Sequence, residues 1–412
     1  AHGVYDENME AEGTSKERSS EPTAVQLESP RRVEVAGHEL HLFLEAGPMI
    51  SAMIRDIQGA QQRVWLEMYI FLNDGAGVPV AEALKERARA GVDVRVLYDA
   101  IGSSTTPSAF FQDMEKAGVQ VHAFHTIGEA LRGRSIFRVL NRRNHRKILV
   151  VDGRVAYFGG MNVADPVRCL QAEGPVPGSM SAGWRDVHVR LTGPQQQEIA
   201  ESFERSWQRA HRQKVRWRPR AYRRGQLAPG EEAIQFFDTG PGPRYARAAR
   251  IFIQLFRAAR RSITLSMAYF VPLGRVLREL LRARRRGVRV RVIVPGESDV
   301  VLAHWAARYL YQRLLRRRIR LYERQGDMLH SKVMVVDNQW TVVGSSNLDP
   351  RSLWTNLEFL AVIRSRSLAR ALNEICQYEI DRSRRVTLAD CYQRRCWGRL
   401  LDRFAWSLRW WL

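Results

Sequence analysis

Two groups of polar residues share the same spacing and are the strongest candidates for chemistry in this chain of 412 residues. Each group has a histidine, a lysine two residues later, an aspartate five residues after the lysine and an asparagine ten residues after the aspartate: His145, Lys147, Asp152 and Asn162 in the first, and His330, Lys332, Asp337 and Asn347 in the second. A single His-x-Lys pair is usually an exposed polar pair. Two complete copies predict that the histidines, lysines and aspartates are catalytic.

These residue types suit the transfer of a phosphodiester group. A neutral imidazole can attack phosphorus and form a phospho-histidine, which divides one difficult displacement into two easier ones. A second, protonated imidazole can give a proton to the departing alkoxide and later accept one from the incoming hydroxyl. The two lysines would hold the phosphate oxygens, with Asn162, Asn347 and Ser345 as further donors to the substrate phosphate. Because two lysines supply the positive charge, we expect no metal ion and no other cofactor.

The apolar residues that follow each histidine predict how these side chains are positioned. The runs 148–151 and 333–336 are typical of buried strands, on which a histidine and a lysine two residues apart point to the same face. Asp152-Gly153 and Asp337-Asn338 are turn-forming pairs, so each group should form a hairpin. A turn role is therefore the alternative to catalysis for the two aspartates.

One acidic residue follows each group on an otherwise apolar strand. Asp186 lies in the run 185–191 and Glu358 in the run 357–362. These carboxylates are candidates for holding the imidazoles in one tautomer and orientation, as the acid does in a catalytic triad. Glu67, on another apolar strand, is either an acid in a pocket or a salt-bridged core residue.

The order of predicted elements also occurs twice. Helix, strand, helix and strand follow one another from about residue 49 to residue 98, and again from about residue 245 to residue 294. Strands that alternate with helices predict an α/β fold, and the repeat predicts two similar lobes related by a pseudo-twofold axis. The expected divisions are a disordered polar tail (1–33), a first lobe (34–213), a basic linker (214–229), a second lobe (230–385) and a basic amphipathic segment (386–412).

The composition favours an anionic partner. Lysine and arginine number 65 against 43 aspartates and glutamates, a formal net charge of +22. Nucleic acid, an anionic membrane and a phosphate-bearing substrate are all compatible with this excess. The four cysteines are best interpreted as reduced thiols, with a Cys391–Cys396 disulfide as the alternative. The chain has no signal-peptide core and no apolar run near the ~18 residues that a membrane-spanning helix needs.

The paired His-x-Lys-x4-Asp motif resembles the phospholipase D superfamily from about residue 34 to residue 382. Further similarity to bacterial cardiolipin synthases, particularly their short type B form without N-terminal membrane helices, lies at 65–67, 295–299 and 342–352. The resemblance implies that both motifs meet between the lobes and that phosphatidylglycerol is both donor and acceptor of a phosphatidyl group, with release of glycerol. It also implies that His145 is the nucleophile and His330 the acid and base.

Two segments predict docking on an anionic phospholipid membrane. Arginines alternate with apolar residues over 131–146, and tryptophans, leucines and arginines recur at helical spacing over 397–412. We expect a peripheral protein on the cytoplasmic face of the bacterial cell membrane. The second segment packing on the protein itself is the alternative.

Three other functions compete with this hypothesis. Water could replace the lipid as acceptor, which would make the chain a phospholipase D-type phosphodiesterase. The basic surplus would also suit a nuclease, although no nucleic-acid-binding module is recognisable and no specific nucleic acid is expected. A non-catalytic membrane scaffold is disfavoured by the two intact motifs.

Overall fold

A computed structural model describes residues 29–125, 142–165, 183–211, 230–241 and 247–411 of the chain. It contains two α/β lobes, each built on a mixed eight-stranded sheet. The predicted fold class is confirmed. The predicted linker and most of the N-terminal tail lie outside the described residues.

The first lobe alternates strands with helices as predicted. Its elements are β1 (Arg31–Val35), β2 (His38–Phe43), α1 (Ala46–Gln58), β3 (Arg63–Met68), α2 (Gly77–Arg89), β4 (Asp93–Asp99), α3 (Ser108–Lys116), β5 (Gln120–Phe124), β6 (Lys147–Val151), β7 (Val155–Gly159), β8 (Trp184–Arg185), β9 (His188–Thr192) and α4 (Gln196–Ala210).

The second lobe repeats this order and adds helices at its end. Its elements are β10 (Ala233–Thr239), α5 (Arg247–Ala258), β11 (Ser262–Met267), α6 (Gly274–Arg285), β12 (Arg289–Pro295), α7 (Val301–Arg316), β13 (Arg320–Arg324), β14 (Met328–Leu329), β15 (Lys332–Val336), β16 (Trp340–Gly344), α8 (Pro350–Trp354), β17 (Glu358–Arg364), α9 (Arg366–Asp381), β18 (Ser383–Val386), α10 (Leu388–Gln393) and α11 (Cys396–Ser407).

The two sheets correspond strand by strand. The first has the order β1-β2-β9-β7-β6-β3-β4-β5 and the second the order β10-β17-β16-β15-β11-β12-β13-β18. Superposing the hairpin β6–β7 on β15–β16 aligns seven strands, while β1 and β18 are additions at opposite edges. In each lobe the hairpin strand that carries the lysine lies beside the first strand of the parallel part of the sheet.

Three apolar cores hold this architecture together. Helices α1, α2 and α3 cover the outer face of the first sheet, and α5, α6 and α7 cover that of the second. The inner faces of both sheets share a third core with α4 and α9, where Phe158 and Phe359 pack edge to face at 5.7 Å. Since burying apolar area is the main favourable term in folding, this third core fixes the lobes against each other.

Backbone hydrogen bonds also cross between the lobes. Strands β8 and β14 form a short parallel pair that joins Trp184 to Met328 and Arg185 to Leu329. On the other side of the boundary, Asn144 forms a bridge with Leu357. The segment that leads into each candidate histidine is therefore tied to the opposite lobe.

Two observations concern membrane and disulfide expectations. Among the helices within the described ranges, none has both the length and the apolar character required to cross a bilayer. Cys376, Cys391 and Cys396 are free thiols, so the alternative Cys391–Cys396 disulfide is not formed.

Both hairpin aspartates accept backbone hydrogen bonds at the turns. The Asp152 carboxylate accepts from the N–H groups of Gln61 (2.8 Å), Gln62 (2.7 Å) and Arg63 (3.0 Å), just before β3. Asp337 makes the corresponding three contacts just before β11, at 2.7–2.9 Å. Each aspartate therefore joins the hairpin turn to the start of the neighbouring strand.

We predict that Asp152→Ala lowers the free energy of unfolding by about 2 kcal/mol, because three backbone donors lose an ionised acceptor. Thermal or urea denaturation would measure the loss. Glu115→Ala, which removes an exposed carboxylate from α3, serves as the control and should leave stability unchanged. Equal stability of Asp152→Ala and the unmodified chain would contradict this role.

Candidate active site

The two histidines lie at the boundary between the lobes, each at the start of its hairpin. The backbone N–H of His145 donates to the carbonyl oxygen of Leu357 at 2.9 Å, and that of His330 donates to Arg185 at 2.7 Å. Each of these acceptors immediately precedes one of the candidate acids. The rings are nearly buried, with 8% of His145 and 3% of His330 exposed.

Each imidazole is hydrogen-bonded to the acid of the opposite lobe. His145 Nδ1 lies 3.0 Å from Glu358 Oε2, and His330 Nδ1 lies 2.7 Å from Asp186 Oδ2. An ionised carboxylate can only accept, so in these two contacts Nδ1 is the donor and each Nε2 is left for a reacting group. In the sequence each acid follows the motif of its own lobe. The sequence therefore does not indicate that each acid binds the histidine of the other lobe.

The two lysines extend along the same strand face as their histidines. Lys147 Nζ donates to the carbonyl oxygen of His145 at 2.8 Å and lies 5.0 Å from the ring centre of Tyr69. Lys332 Nζ donates to Asp186 at 3.3 Å. Both amino groups are buried beside the imidazoles. Burial lowers the pKa of both lysines, while Glu358 opposes the shift at Lys147 and Asp186 opposes it at Lys332.

The two asparagines occupy equivalent positions after their hairpins. The Asn162 side-chain oxygen accepts from the N–H of Ile70, and that of Asn347 accepts from Tyr269, both at 3.2 Å. Neither amide nitrogen has a hydrogen-bond partner among the described residues, so both remain available as donors to a ligand.

Ser345 differs from its predicted place on a substrate phosphate. Its hydroxyl donates to Glu358 and accepts from the N–H of Phe359 at 3.0 Å. A hydroxyl has a single hydrogen, and here that hydrogen is used on the carboxylate. The structure therefore places Ser345 as a support for Glu358.

Gly160 occupies the position that corresponds to Ser345 in the first lobe. A Cβ atom at this position would lie 2.2 Å from Asp186 Oδ1, so no side chain fits while the carboxylate is there. The first lobe thus combines glycine with aspartate, whereas the second combines serine with the longer glutamate. The absence of a side chain at Gly160 leaves space for the Asp186 carboxylate.

The hairpin aspartates are not brought to the imidazoles. Asp152 and Asp337 lie five residues beyond their lysines, which on an extended strand is about 16 Å. Their carboxylates bind the backbone at the opposite end of the hairpin, as described above. The arrangement corresponds to the turn role and not to direct contact with a reacting group.

Glu67 also has a structural environment. It is completely buried, accepts from the Asn144 amide at 2.7 Å and lies 3.9 Å from the Arg146 guanidinium. The alternative of a salt-bridged core residue therefore describes it better than a pocket acid.

Aromatic residues that the motifs do not include complete the walls. Tyr69 packs edge-on to His145 at 4.8 Å between ring centres, and Trp184 lies against His330 at 4.6 Å. Tyr269 packs edge-on to His330 at 6.3 Å. Tyr69 directly follows β3, whereas Tyr269 lies two residues beyond β11, so the two tyrosines are not at equivalent positions of the repeat. The repeat therefore did not indicate them, and no sequence signal indicated Trp184.

The electrostatic environments of the two imidazoles differ. Burial lowers the pKa of His145 well below its usual value, and the charges of Lys147 and Lys332 lower it further. Burial and Lys332 also lower the pKa of His330, but Asp186 and Asp299 act in the opposite direction. The first imidazole is therefore held neutral more firmly than the second.

The two supporting acids differ in the same sense. Burial raises the pKa of Glu358 to about 7, although Lys147 opposes the shift. Burial alone would raise the pKa of Asp186 as well, but Lys332 and the hydrogen bond from His330 hold it below its usual value. An ionised Asp186 favours a protonated His330 more than a partly protonated Glu358 favours a protonated His145.

Within the part of the chain that the structure describes, no three histidine, cysteine, aspartate or glutamate side chains are grouped as ligands of a metal ion.

Comparison with known proteins identifies the family. The family model described as "Cardiolipin synthase, PLD-like domain" matches residues 53–167 and 252–379, and both matches contain one candidate histidine. Cardiolipin synthase A of Klebsiella pneumoniae is 31% identical over 381 residues, which cover 90% of this chain and 74% of the relative. The major cardiolipin synthase ClsA of Bacillus subtilis is 31% identical over 352 residues, which cover 85% and 70%.

Solved structures agree on the fold. Phosphatidylserine synthase of Haemophilus influenzae superposes with a TM-score of 0.68 over 90% of this chain and 95% of its own, at 14% sequence identity. The two segments that match the family model lie one in each lobe, and each contains one of the two motifs. The chain belongs to the cardiolipin synthase family of the phospholipase D superfamily.

Proposed function

We propose that this protein is a cardiolipin synthase that transfers a phosphatidyl group from one phosphatidylglycerol to another through a phospho-histidine. The observation that carries the proposal is that the carboxylate of each lobe binds the Nδ1 atom of the other lobe's histidine. Both Nε2 atoms are thereby left free at the boundary between the lobes. Two imidazoles so placed match the requirement for one nucleophile and one proton donor on opposite sides of a phosphorus atom.

In the first step, His145 Nε2 attacks the phosphorus of the donor lipid and a P–N bond forms. The bond from phosphorus to the glycerol oxygen breaks, and the imidazolium of His330 gives its proton to that oxygen. Free glycerol then leaves the site. Since His145 attacks as the neutral base, its lowered pKa keeps it ready at neutral pH.

In the second step, a hydroxyl of another phosphatidylglycerol gives its proton to His330. Its oxygen attacks phosphorus, the P–N bond breaks, and cardiolipin leaves with His145 restored. The two steps together consume two phosphatidylglycerols and release one glycerol. His330 returns to its protonated form, so the cycle is closed.

Four donors are placed to offset charge on the non-bridging oxygens during both steps. Lys147 and Lys332 approach from the strand face, while Asn162 and Asn347 present their unpartnered amides. Fixed donors in a site with little water stabilise developing charge without having to reorganise. This set replaces what a divalent cation does in other phosphoryl transferases.

Docking on an anionic phospholipid membrane, at the cytoplasmic face of the cell membrane, is part of the proposal. One face of α11 packs on α7, where Trp406 stacks with Tyr309 at 4.9 Å. Its opposite face leaves large apolar side chains in solvent, with Trp397 78% and Phe404 58% exposed. Such a face with nearby arginines suits the interface of an anionic bilayer. The other predicted basic segment, 131–146, lies mostly outside the described residues.

The apolar surface reaches the same end of the lobe as the candidate site. Beyond α11, Trp410 lies 6.0 Å from Trp354, the last residue of α8. That helix begins directly after Asp349 and follows the asparagine of the second motif by three residues. Insertion of these tryptophans would therefore bring the boundary between the lobes close to lipid headgroups.

We expect His145→Ala and His330→Ala each to lower turnover on the order of 10³-fold or more, since each removes a group that takes part in both steps. Vesicles of phosphatidylglycerol, incubated with a chelator present, should yield cardiolipin and glycerol with the unmodified protein. With labelled lipid, His330→Ala should accumulate label on His145, and His145→Ala should accumulate none.

His41→Ala, a histidine on β2 outside the site, is the matched control and should turn over normally. Normal turnover in either active-site variant would contradict the mechanism. Phosphatidic acid as the sole product would indicate a hydrolase, and cleavage of single-stranded DNA without lipid turnover would indicate a nuclease. Activity that disappears with chelator and returns with a metal ion would contradict the proposed chemistry of the lysines.

We expect the acid limb of the kcat/KM profile to lie below pH 6.5, the usual value for histidine. A lowered pKa means that His145 stays unprotonated, and hence nucleophilic, until the pH falls below that value. Initial rates with dispersed substrate between about pH 5 and about pH 8 would measure this limb. Samples returned to neutral pH control for acid unfolding, and a limb at or above 6.5 would contradict the assignment.

Replacing Trp397 and Phe404 together by serine should weaken binding to anionic vesicles by more than about tenfold, because each aromatic ring loses transfer energy on the order of 1.5–3 kcal/mol. Vesicle sedimentation would measure binding. Turnover of a short-chain, dispersed phosphatidylglycerol should change little. Val78→Ser, an exposed apolar residue of the first lobe, is the control, and equal vesicle binding by all three proteins would exclude α11 as the docking helix.

A further inference from the structure

The wall beside His330 contains a carboxylate that the proposed mechanism does not use. Asp299 follows β12 in the loop before α7, and the Tyr269 hydroxyl donates to it, lying 2.8 Å from Oδ1 and 2.7 Å from Oδ2. The ring of Tyr269 in turn packs edge-on to His330. Tyr269 thus fixes Asp299 at one side of the imidazole.

Asp299 lies close enough to ionisable groups of both lobes to act on their charge. Its charge acts on His330 and Lys332 of its own lobe, raising the pKa of both groups against the effect of burial. It also acts on Tyr69, which lies against His145 on the opposite side, and contributes to the raised pKa of that phenol. Together with the contact through Tyr269, this places Asp299 near the boundary between the lobes, on the side of His330.

The carboxylate has unused capacity to accept hydrogen bonds. An ionised carboxylate offers about four acceptor positions, of which Tyr269 fills one with its single hydrogen, while Ser298 lies at 3.4 Å. Asp299 is partly exposed to solvent, so a ligand can reach it. At least one oxygen is available to a donor from outside the protein.

Among the residues of the first lobe that the structure describes, the equivalent place has no comparable group. Ile70 corresponds to Tyr269, because the backbone N–H of each donates to the asparagine of its own lobe. The acid at the end of the equivalent strand, Asp99, is fully buried and accepts three backbone hydrogen bonds, at 2.8–3.0 Å. The two lobes therefore differ at this place: among the described residues, a carboxylate that a hydroxyl can reach lies on the His330 side only.

We propose that Asp299, held by Tyr269, accepts a hydrogen bond from a second hydroxyl of the alcohol that reacts at His330 and so selects polyol headgroups. This proposal rests on the proposed function, in which His330 handles the alcohol in both steps. The same carboxylate would contact the glycerol that departs from the donor and the glycerol headgroup of the lipid that arrives. Simple alcohols, and water, lack the hydroxyl that makes this contact.

The test is a competition between two alcohols that differ by one hydroxyl. Phosphatidylglycerol vesicles are incubated with equal concentrations of 1,2-propanediol and 1-propanol, and the two phosphatidyl alcohols are quantified. Their ratio gives the ratio of kcat/KM values for the two acceptors and does not depend on how much of the protein is active. The unmodified protein should favour the diol by about tenfold, as one hydrogen bond to a charged group allows.

Asp299→Ala should bring this ratio close to one, and Asp299→Asn, which keeps a neutral acceptor, should give an intermediate ratio. Tyr269→Phe should also lower it, because the carboxylate loses the hydroxyl that fixes it. Glu297→Ala removes an exposed carboxylate two residues earlier and should keep the ratio of the unmodified protein.

The possible outcomes separate this inference from the proposed function. If the unmodified protein forms phosphatidyl alcohols or cardiolipin but the Asp299 variants keep its ratio, the polyol site is wrong and the synthase remains. If the unmodified protein transfers to no alcohol or lipid, the synthase and this inference are both wrong. If Asp299→Ala does not fold, the ratio measured with Asp299→Asn decides.

Discussion

The site depends on two hydrogen bonds, in each of which the histidine of one lobe binds the carboxylate of the other. Each imidazole starts a hairpin in one lobe, and its Nδ1 atom is held by an acid of the other lobe: Glu358 at the start of β17, or Asp186 between β8 and β9. Burial of an imidazole is costly unless its polar atoms are paired. The contacts that orient the histidines thus also stabilise the interface between the lobes. Neither lobe by itself holds its histidine in this orientation.

Duplication has given two similar halves with unequal electrostatics. The short Asp186 beside Gly160 is ionised and favours a protonated imidazole, whereas Glu358, supported by Ser345, has a pKa of about 7. Asp299 adds negative charge beside His330 and Lys332. Two histidines in identical surroundings would compete for the same role, so under the proposed mechanism these differences would let His145 attack while His330 carries a proton.

Much of the site could be predicted from the sequence because its main signals are local. The spacing of His145 and Lys147, repeated at His330, gave the hairpins, the strand face and the pairing of the motifs. Asp186 and Glu358 stood out as acids on apolar strands. The fold class followed from the alternation of helices and strands and from its repetition.

What could not be predicted depends on contacts between distant segments. Nothing local shows that His145 lies against Glu358, more than two hundred positions away. The motif suggests that Asp152 belongs with the histidine, but strand geometry carries it to the far end of the hairpin. Ser345 and Asp299 follow the strands β16 and β12, and they obtain their partners only when those strands are assembled into the sheet.

The short parallel pair of β8 and β14, together with the bridge from Asn144 to Leu357, has a consequence for how substrate enters. These backbone bonds cross the boundary beside both histidines, so the lobes cannot swing apart like a clamshell without breaking them. Under the proposed function, a lipid headgroup would therefore have to reach the histidines while the lobes keep their separation, with its acyl chains left outside.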